Sequence, residues 1–372
     1  MGKQTVYVLT EPAQATPIWF ARITEGLRVT CQQSRLMLTR LDSPEQLDAM
    51  EEKPAAVLAV CSQYDWTRHT VRALQDRGTM PVLLGVVPER FGDSVSGIIM
   101  ARRVYIEKAM DYFLENGRTR MALVGVNRNA SNDSVKVGAF LQNSLQQGLD
   151  ASQEDIFYID TDIVSCVSRC LDRAERYNGV ICSNDYVAAA LLAQARERGI
   201  RVPEALFVMG LGDTRIGRYT EPTLTTTTTS DEYFEMGRMA VSIWRLVSEN
   251  PSLASITISV NTRIIPRGST AFAQPQRREL LPSDSEAPCP HVGDVNQVMR
   301  NLENCLRRCD ELDMRILRAV MAGKSNEQIE TELYLAHSSL HYRLRRLYQF
   351  AQVGSRAELE ERFRYYLPHF GE

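Results

Sequence analysis

Between Leu333 and Ala357 the chain carries no aspartate or glutamate, yet it carries Arg343, Arg345, Arg346 and Arg356. A phosphodiester backbone requires such a locally positive surface, and arginine can in addition grip guanine through its two acceptors. The net charge of −3 at pH 7 gives no hint of nucleic acid, so the signal is local to this segment. At 100° per residue Leu340, Leu344 and Leu347 share one helical face. Ser338, Tyr342, Arg345 and Gln349 point oppositely, flanked by His341 and Arg346. A charged helical face is ordinarily a solvated one; the segment before it gives this one a second meaning. Ser325 can cap a helix over Asn326 to Leu333, whose first turn carries Glu327, and a short turn leads to the basic helix from Ser338 to Gln349. These are the parts of a helix-turn-helix. The candidate DNA-contacting residues are therefore Ser325, Ser338, Ser339, His341, Tyr342, Arg345 and Arg346. Arg343 lies beside the apolar stripe, where it packs or touches phosphate.

A second group of polar and aromatic residues stands near the ends of apolar runs. Asn184 and Asp185 follow the run Gly179 to Cys182, where their side chains can hydrogen-bond a ligand's hydroxyls or can cap the helix that begins at Tyr186. Asp213 ends another strand and loop. Trp19 and Phe20 follow the first strand, Tyr64 and Trp66 the second, and Tyr158 sits near the end of a later one. Each could cover a flat or apolar ligand face with its ring, or pack a core. Cysteine pairs Cys166/Cys170 and Cys305/Cys309 have i,i+4 spacing, but no further Cys or His stands at ligand spacing beside either, so no metal site is expected. Cys289 and His291 lie near each other in a linker and carry no more weight. Reduced thiols are expected throughout. No Gly-rich phosphate loop, metal set or nucleophile elbow occurs, so neither an enzyme nor a cofactor is expected.

The elements that would position these groups alternate. Apolar, β-prone runs occur at Val6–Leu9, Ala56–Val60, Val82–Val87, Met121–Val126, Asp155–Ile159, Gly179–Cys182, Leu206–Met209 and Ile256–Val260. Several are continuously apolar, as strands covered on both faces must be. Amphipathic helical segments separate them, which predicts parallel sheets with helices on both faces. About 270 residues exceed one such sheet, so two lobes are expected, with ligands outside the carboxyl ends of the strands, in the cleft between lobes. Residues 271–293 contain Pro275, Pro282, Pro288 and Pro290 and read as a linker. Asp294 then caps a helix whose apolar positions Val295, Val298/Met299, Leu302, Cys305/Leu306 and Cys309 form either a dimer seam or a packing face. No run of eighteen apolar residues occurs and no signal-peptide pattern opens the chain, so a cytoplasmic protein without membrane association is expected.

These residues carry two resemblances. Five motifs, in order, resemble the second half of the LacI/GalR-type effector-binding domain. They are Gly179-Val-Ile-Cys-Ser-Asn184-Asp185, Arg198-Gly-Ile-Arg-Val-Pro-Glu204, Val208-Met-Gly-Leu-Gly-Asp213, Glu221-Pro-Thr-Leu-Thr-Thr226 and Thr262-Arg-Ile-Ile-Pro-Arg-Gly-Ser-Thr270. Residues 5–270 are covered, the first half by its pattern of elements. The resemblance implies a type I periplasmic-binding-protein-like domain of two lobes that binds a small effector and dimerises side by side. That family's DNA-binding headpiece precedes the first strand; here none is expected, since Val6 already lies in that strand. Gly212 stands where the family has a ligand-contacting Asp and Val135 where it has an effector-gripping Arg, so polar anchors of a typical sugar site are missing. Arg102 and Arg103 lie close to a family ligand position and point to an anionic effector. The second resemblance, over residues 309–360, is to the LuxR-type helix-turn-helix. It rests on Asp313, Ile316-Leu317, Gly323-Lys-Ser325-Asn326-Glu-Gln-Ile329, Ser339-Leu340 and Val353-Gly-Ser-Arg356. Glu330 replaces the small Ala through which that family's two helices approach, and Phe350-Ala351 replaces its Lys-Leu.

The expected fold is therefore α/β: a two-lobe periplasmic-binding-protein-like domain over 1–270, a linker over 271–293 and a small all-α helix-turn-helix domain over 294–372. The expected function is that of a one-component transcription regulator, a homodimer that binds double-stranded DNA and a sugar-like or anionic metabolite. The alternative is a solute sensor whose helical domain binds protein. A periplasmic solute binder does not explain the appended helices. A response regulator needs clustered acids after the first strand, where Leu9-Thr10-Glu11 offers only Glu11.

Overall fold

The structure is a computed structural model and describes residues 4–12, 18–227, 230–271 and 294–371. Along the chain the elements are β1 (Thr5–Thr10), α1 (Ile18–Gln33), β2 (Met37–Leu41), β3 (Ala56–Val60), α2 (Tyr64–Gln75), β4 (Met80–Leu84), β5 (Ser96–Met100) and α3 (Arg102–Glu115). Then come β6 (Met121–Val126), α4 (Ser131–Gln146), β7 (Ile156–Tyr158), α5 (Ile163–Leu171), β8 (Gly179–Cys182), α6 (Asp185–Glu197), β9 (Phe207–Met209), β10 (Thr226–Thr227) and α7 (Ser230–Glu249). The chain continues through β11 (Thr257–Val260), β12 (Ile264–Ile265), α8 (Val295–Arg308), α9 (Glu311–Met321), α10 (Asn326–Leu333), α11 (His337–Ala351) and α12 (Arg356–Tyr366).

Two compact units result. The first takes the residues up to Lys108 together with 126–143 and 228–263. Its sheet has the order β11-β5-β4-β3-β1-β2 with parallel pairing throughout. Alternate residues of each strand enter opposite cores, as the two-residue period of a strand requires. Val6, Val8, Leu58, Val60, Val82 and Leu84 pack with Ile23 and Leu27 of α1 and with Met236, Ala240 and Trp244 of α7. Leu9, Val57, Ala59 and Leu83 pack with Val71 and Leu74 of α2 on the other side. Helices α1 and α7 touch backbone to backbone. A Cβ on Gly237 would stand 2.1 Å from the Ile23 carbonyl oxygen, and one on Gly26 2.1 Å from that of Phe234. β2 and β5, which the sequence reading missed, are an exposed edge strand and a short run opening Ser-Gly; their apolar signal is weak.

The second unit takes 109–125, 144–227 and 264 onward. It holds a four-stranded sheet, β7-β6-β8-β9, and the antiparallel pair β10-β12. Here α8 to α12 share one continuous apolar core with α5 and α6: Cys166, Val187 and Leu191 belong to the same cluster as Met299, Leu302, Leu340 and Phe363. The packing-face reading of the α8 stripe thus describes its environment. The linker, with Cys289 and His291, lies outside the described residues.

Candidate nucleic-acid interface and effector-binding edges

Three helices build the candidate interface. α9 opens with a reciprocal cap in which Asp310 accepts from the Asp313 amide at 2.8 Å and Asp313 accepts from the Asp310 amide at 3.2 Å. α10 repeats the device with Ser325 and Gln328. Tyr334 closes α10 in the left-handed conformation, and after Leu335 and Ala336 the chain enters α11. Ile329, Leu340, Leu344 and Leu347 are buried against Ile316, Leu317 and Val320. Ser338, Ser339, Tyr342, Arg345 and Gln349 are exposed, so the apolar and polar faces of α11 stand as its periodicity requires.

The arginines divide into two roles. Arg343 donates to Asp313 at 2.6 Å and to Asp310 at 2.9 Å, and Arg346 bonds Asp313 and reaches Asp310 at 3.4 Å. The Arg343 guanidinium holds the Asp310 carboxyl below its usual range. Asp313 is fully buried, so these two arginines neutralise it and fasten α11 to α9. Of the arginines expected to meet DNA, Arg346 therefore stands in an ion pair inside the helical unit, with its side chain 29% exposed. Arg345 makes no ion pair among the described residues. Ser325 is occupied as a cap, and His341 lies beside His337 with ring centroids 4.2 Å apart. His337 Nδ1 is 2.8 Å from Glu330, so the carboxylate at the small-residue position is taken up by the first residue of α11. Arg356 pins the turn before α10, bonding Lys324 O at 2.5 Å and Asn326 Oδ1 at 3.0 Å.

The candidate effector residues distribute over both units. In the first, Trp19 sets its ring edge-on to Phe20 at 6.0 Å and lies 6.5 Å from Tyr233, and both Trp19 and Phe20 pack on the sheet core. Tyr64 lies 5.3 Å from Phe91, whereas Trp66 packs into the core beneath the sheet. The backbone of Arg102 opens α3; its side chain lies outside the described residues. Sequence reasoning missed Glu11 and the start of α4. Glu11 accepts from the amides of Ser62 at 2.6 Å and Gln63 at 3.1 Å, joining the carboxyl ends of β1 and β3. Ala130, ahead of α4, bridges Gln63, and Ser134 accepts from Arg90. Nearby on α4 the buried Lys136 pairs with Asp133 at 2.8 Å. The run Asn127 to Lys136 was the available signal, since polar residues directly after a buried strand stand at a ligand edge.

In the second unit Tyr158 is half-buried, and its carbonyl accepts from Arg169 at 2.5 Å. Asn184 caps α6, accepting from the Tyr186 and Val187 amides at 2.9 and 3.0 Å. Asp185 is fully buried and accepts from Thr226 Oγ1 at 2.6 Å, Thr214 N at 2.7 Å and Thr214 Oγ1 at 3.0 Å. Desolvation raises its carboxyl to about 6 against these bonds. Gly210 is needed beside it, because a Cβ there would fall 2.3 Å from Asp185 Oδ1. Asp213, its side chain 7% exposed, pairs with Arg267 at 2.5 Å and Arg218 at 3.3 Å. Both of these candidate effector residues, Asp185 and Asp213, thus already accept from protein donors. They organise the turn after β9.

Among the described residues no group of three His, Cys, Asp or Glu stands at metal-binding geometry, and no helix is long and apolar enough to cross a membrane. None of the seven described cysteines forms a disulfide.

Comparison with known proteins fits this architecture. A model of the periplasmic binding protein-like domain matches residues 110–270. The HTH-type transcriptional repressor PurR of Proteus mirabilis is 24% identical over 268 residues, 68% of this chain and 76% of the relative. The HTH-type transcriptional regulator GalS of Salmonella typhimurium is 31% identical over 137 residues, 36% and 38% of the two chains. A solved regulatory protein of the LacI family from Chloroflexus aggregans superposes with a TM-score of 0.60 at 17% identity, covering 72% of this chain and 98% of the other. Residues 110–270 thus match a periplasmic binding protein-like domain, and the chain shares the two-lobed parallel α/β fold of solved LacI-family regulators.

Proposed function

We propose that this protein is a one-component transcription regulator. It binds a small effector, sugar-like or anionic, at the carboxyl ends of its parallel strands, and double-stranded DNA through α10 and α11. The observation that carries the reading is α11 itself. After a three-residue turn it exposes Ser338, Tyr342, Arg345 and Gln349 opposite a fully packed leucine stripe. Asp310 and Asp313 are already held by Arg343 and Arg346, so they do not repel phosphate as free charges, and the Glu330 carboxylate is turned onto His337. Two copies of α11 in a homodimer would meet two half-sites, the LuxR-type arrangement that the spacing of residues 309–360 resembles. The relatives' role as transcription regulators supports this reading.

The test is binding of labelled duplexes, taken from DNA upstream of the neighbouring genes, to the full chain at several salt concentrations. Affinity should fall steeply with salt, and Arg345→Ala should weaken binding while leaving the fold intact. Undiminished duplex binding by Arg345→Ala removes α11 as the reading helix. If the wild-type chain binds no duplex and the helical domain captures a protein instead, the sensor alternative replaces the regulator.

A further inference from the structure

The turn that follows β9 is tied on two sides. Towards the strand ends, Asp185 accepts from Thr214 N at 2.7 Å and Oγ1 at 3.0 Å, while Asp213 is held by Arg267 at 2.5 Å. Towards the C-terminal helices, Arg215 donates to Leu306 O of α8 at 2.5 Å and the Ile216 amide donates to Glu303 Oε2 at 2.9 Å. Tyr219 then sets its ring edge-on against Phe370, centroids 4.8 Å apart. Four consecutive residues thus divide between the strand-end carboxylates and the helical unit. α8 in turn lies along α11: the Cys305 thiol meets Leu347 O at 3.8 Å, and Arg308 stacks over Phe350 at 5.4 Å.

Glu303 is 1% exposed. Burial pushes its carboxyl up, and the amides of Arg215 and Ile216 pull it back. An apolar side chain of the same volume would fill this space without the desolvation penalty of a carboxylate. What the carboxylate adds is direction, because a charge-assisted bond in a dry site weakens sharply when its donors move. An ordinary packing contact would tolerate a small slide of the turn; this one registers it.

We propose that residues 213–219 are the coupling element of this protein: the position of the turn, set at the carboxyl ends of β8 and β9, is passed through Glu303 and Leu306 to α8 and from α8 to α11. The regulator reading supplies the meaning of the output, but the link stands on these contacts alone. A coupling of this kind is an energy shared between two sites and acts in both directions.

The test uses hydrogen exchange on the full chain. Thr214→Val removes one hydroxyl donor from Asp185, and exchange of the α8 and α11 amides should rise about fivefold, the worth of one hydrogen bond. In a Glu303→Gln background the same substitution should change α11 by less than about twofold, the spread expected of uncoupled sites. If Glu303→Gln does not fold, Arg215→Ala serves as the background, since that exposed side chain carries the parallel bond to Leu306. An α11 unaffected by Thr214→Val, or affected equally in both backgrounds, overturns the proposal. In a second arm a bound duplex should slow exchange across 213–219, and tight duplex binding without that change also overturns it. Absence of duplex binding with the first arm intact upholds the link and removes the regulator reading instead.

Discussion

Replacing Asp313 with alanine should be the most damaging single change in the helical unit. Its carboxylate is fully buried and meets Arg343 at 2.6 Å together with Arg346, whose side chains are 23% and 29% exposed. Removing one partner of a buried ion pair costs about 3–5 kcal/mol, because the remaining charge is left without compensation. Two features place this case at the lower end. Both arginines keep water on one side, and both retain Asp310, itself 48% exposed. A further fraction of about 1 kcal/mol comes from the reciprocal cap, since the Asp310 amide loses its acceptor. The sum is about 3–4 kcal/mol. For a cooperative unit of roughly 200 residues it corresponds to a fall in Tm of about 6–16 °C. Scanning calorimetry of the full chain reads it directly, and hydrogen exchange should localise the loosening to α9 and α11. Asp310→Ala, at the exposed end of the same cluster but the N-cap of α9, should cost about 1–2 kcal/mol. A fall below about 2 °C for Asp313→Ala, or equal falls for the two variants, would refute the view that Asp313 is the buried centre of the lock.

Other consequences are equally direct. Arg345→Ala should reduce the salt slope of duplex binding by about one counterion and weaken affinity by about 1–3 kcal/mol, measured by fluorescence anisotropy; an unchanged slope argues against a DNA contact at this position. Gly237→Ala places a methyl where the Ile23 carbonyl stands and should destabilise the first unit by at least about 1–3 kcal/mol, visible as a lower urea midpoint; an unchanged midpoint would mean that α1 and α7 do not meet there. Burial raises the Asp185 carboxyl from 3.8 to about 6, so the folded protein binds the extra proton between those values. The stability this contributes is full below pH 3.8 and lost as pH rises through about 6. Asp185→Asn should therefore gain on the wild type by up to about 3 kcal/mol between pH 4 and 7, and a Tm difference that stays constant with pH contradicts it.

How much of this was legible in the sequence depends on the range of the interaction. The helix over Asn326–Leu333, the faces of α11 and the cap at Asp294 follow from local spacing and short-range hydrogen bonds, and the structure places them where the pattern does. The alternation of continuously apolar runs with amphipathic helices fixes parallel sheets, because only strands covered on both faces lack a polar side. What local pattern could not supply is the identity of a charge's partner. Arg345 and Arg346 are neighbours in sequence, yet one faces solvent and the other is folded onto Asp313, thirty-three residues away along the chain. Asp185 follows a strand end as a ligand-facing residue would, but Thr214 and Thr226, brought in by β9 and β10, consume its oxygens.

The sequence by itself therefore determined the alternation of the continuously apolar strands with helices, the helix over Asn326–Leu333 and the polar face of α11, since each depends on a period of two or 3.6 residues. Tertiary structure alone decided which arginines remain available, which carboxylates are spent on internal bonds, and that α8 to α12 share one core with α5 and α6. The physical reason is that the strength of an ion pair or a buried carboxylate depends on distance and desolvation, quantities that arise only when segments far apart in the chain are packed together.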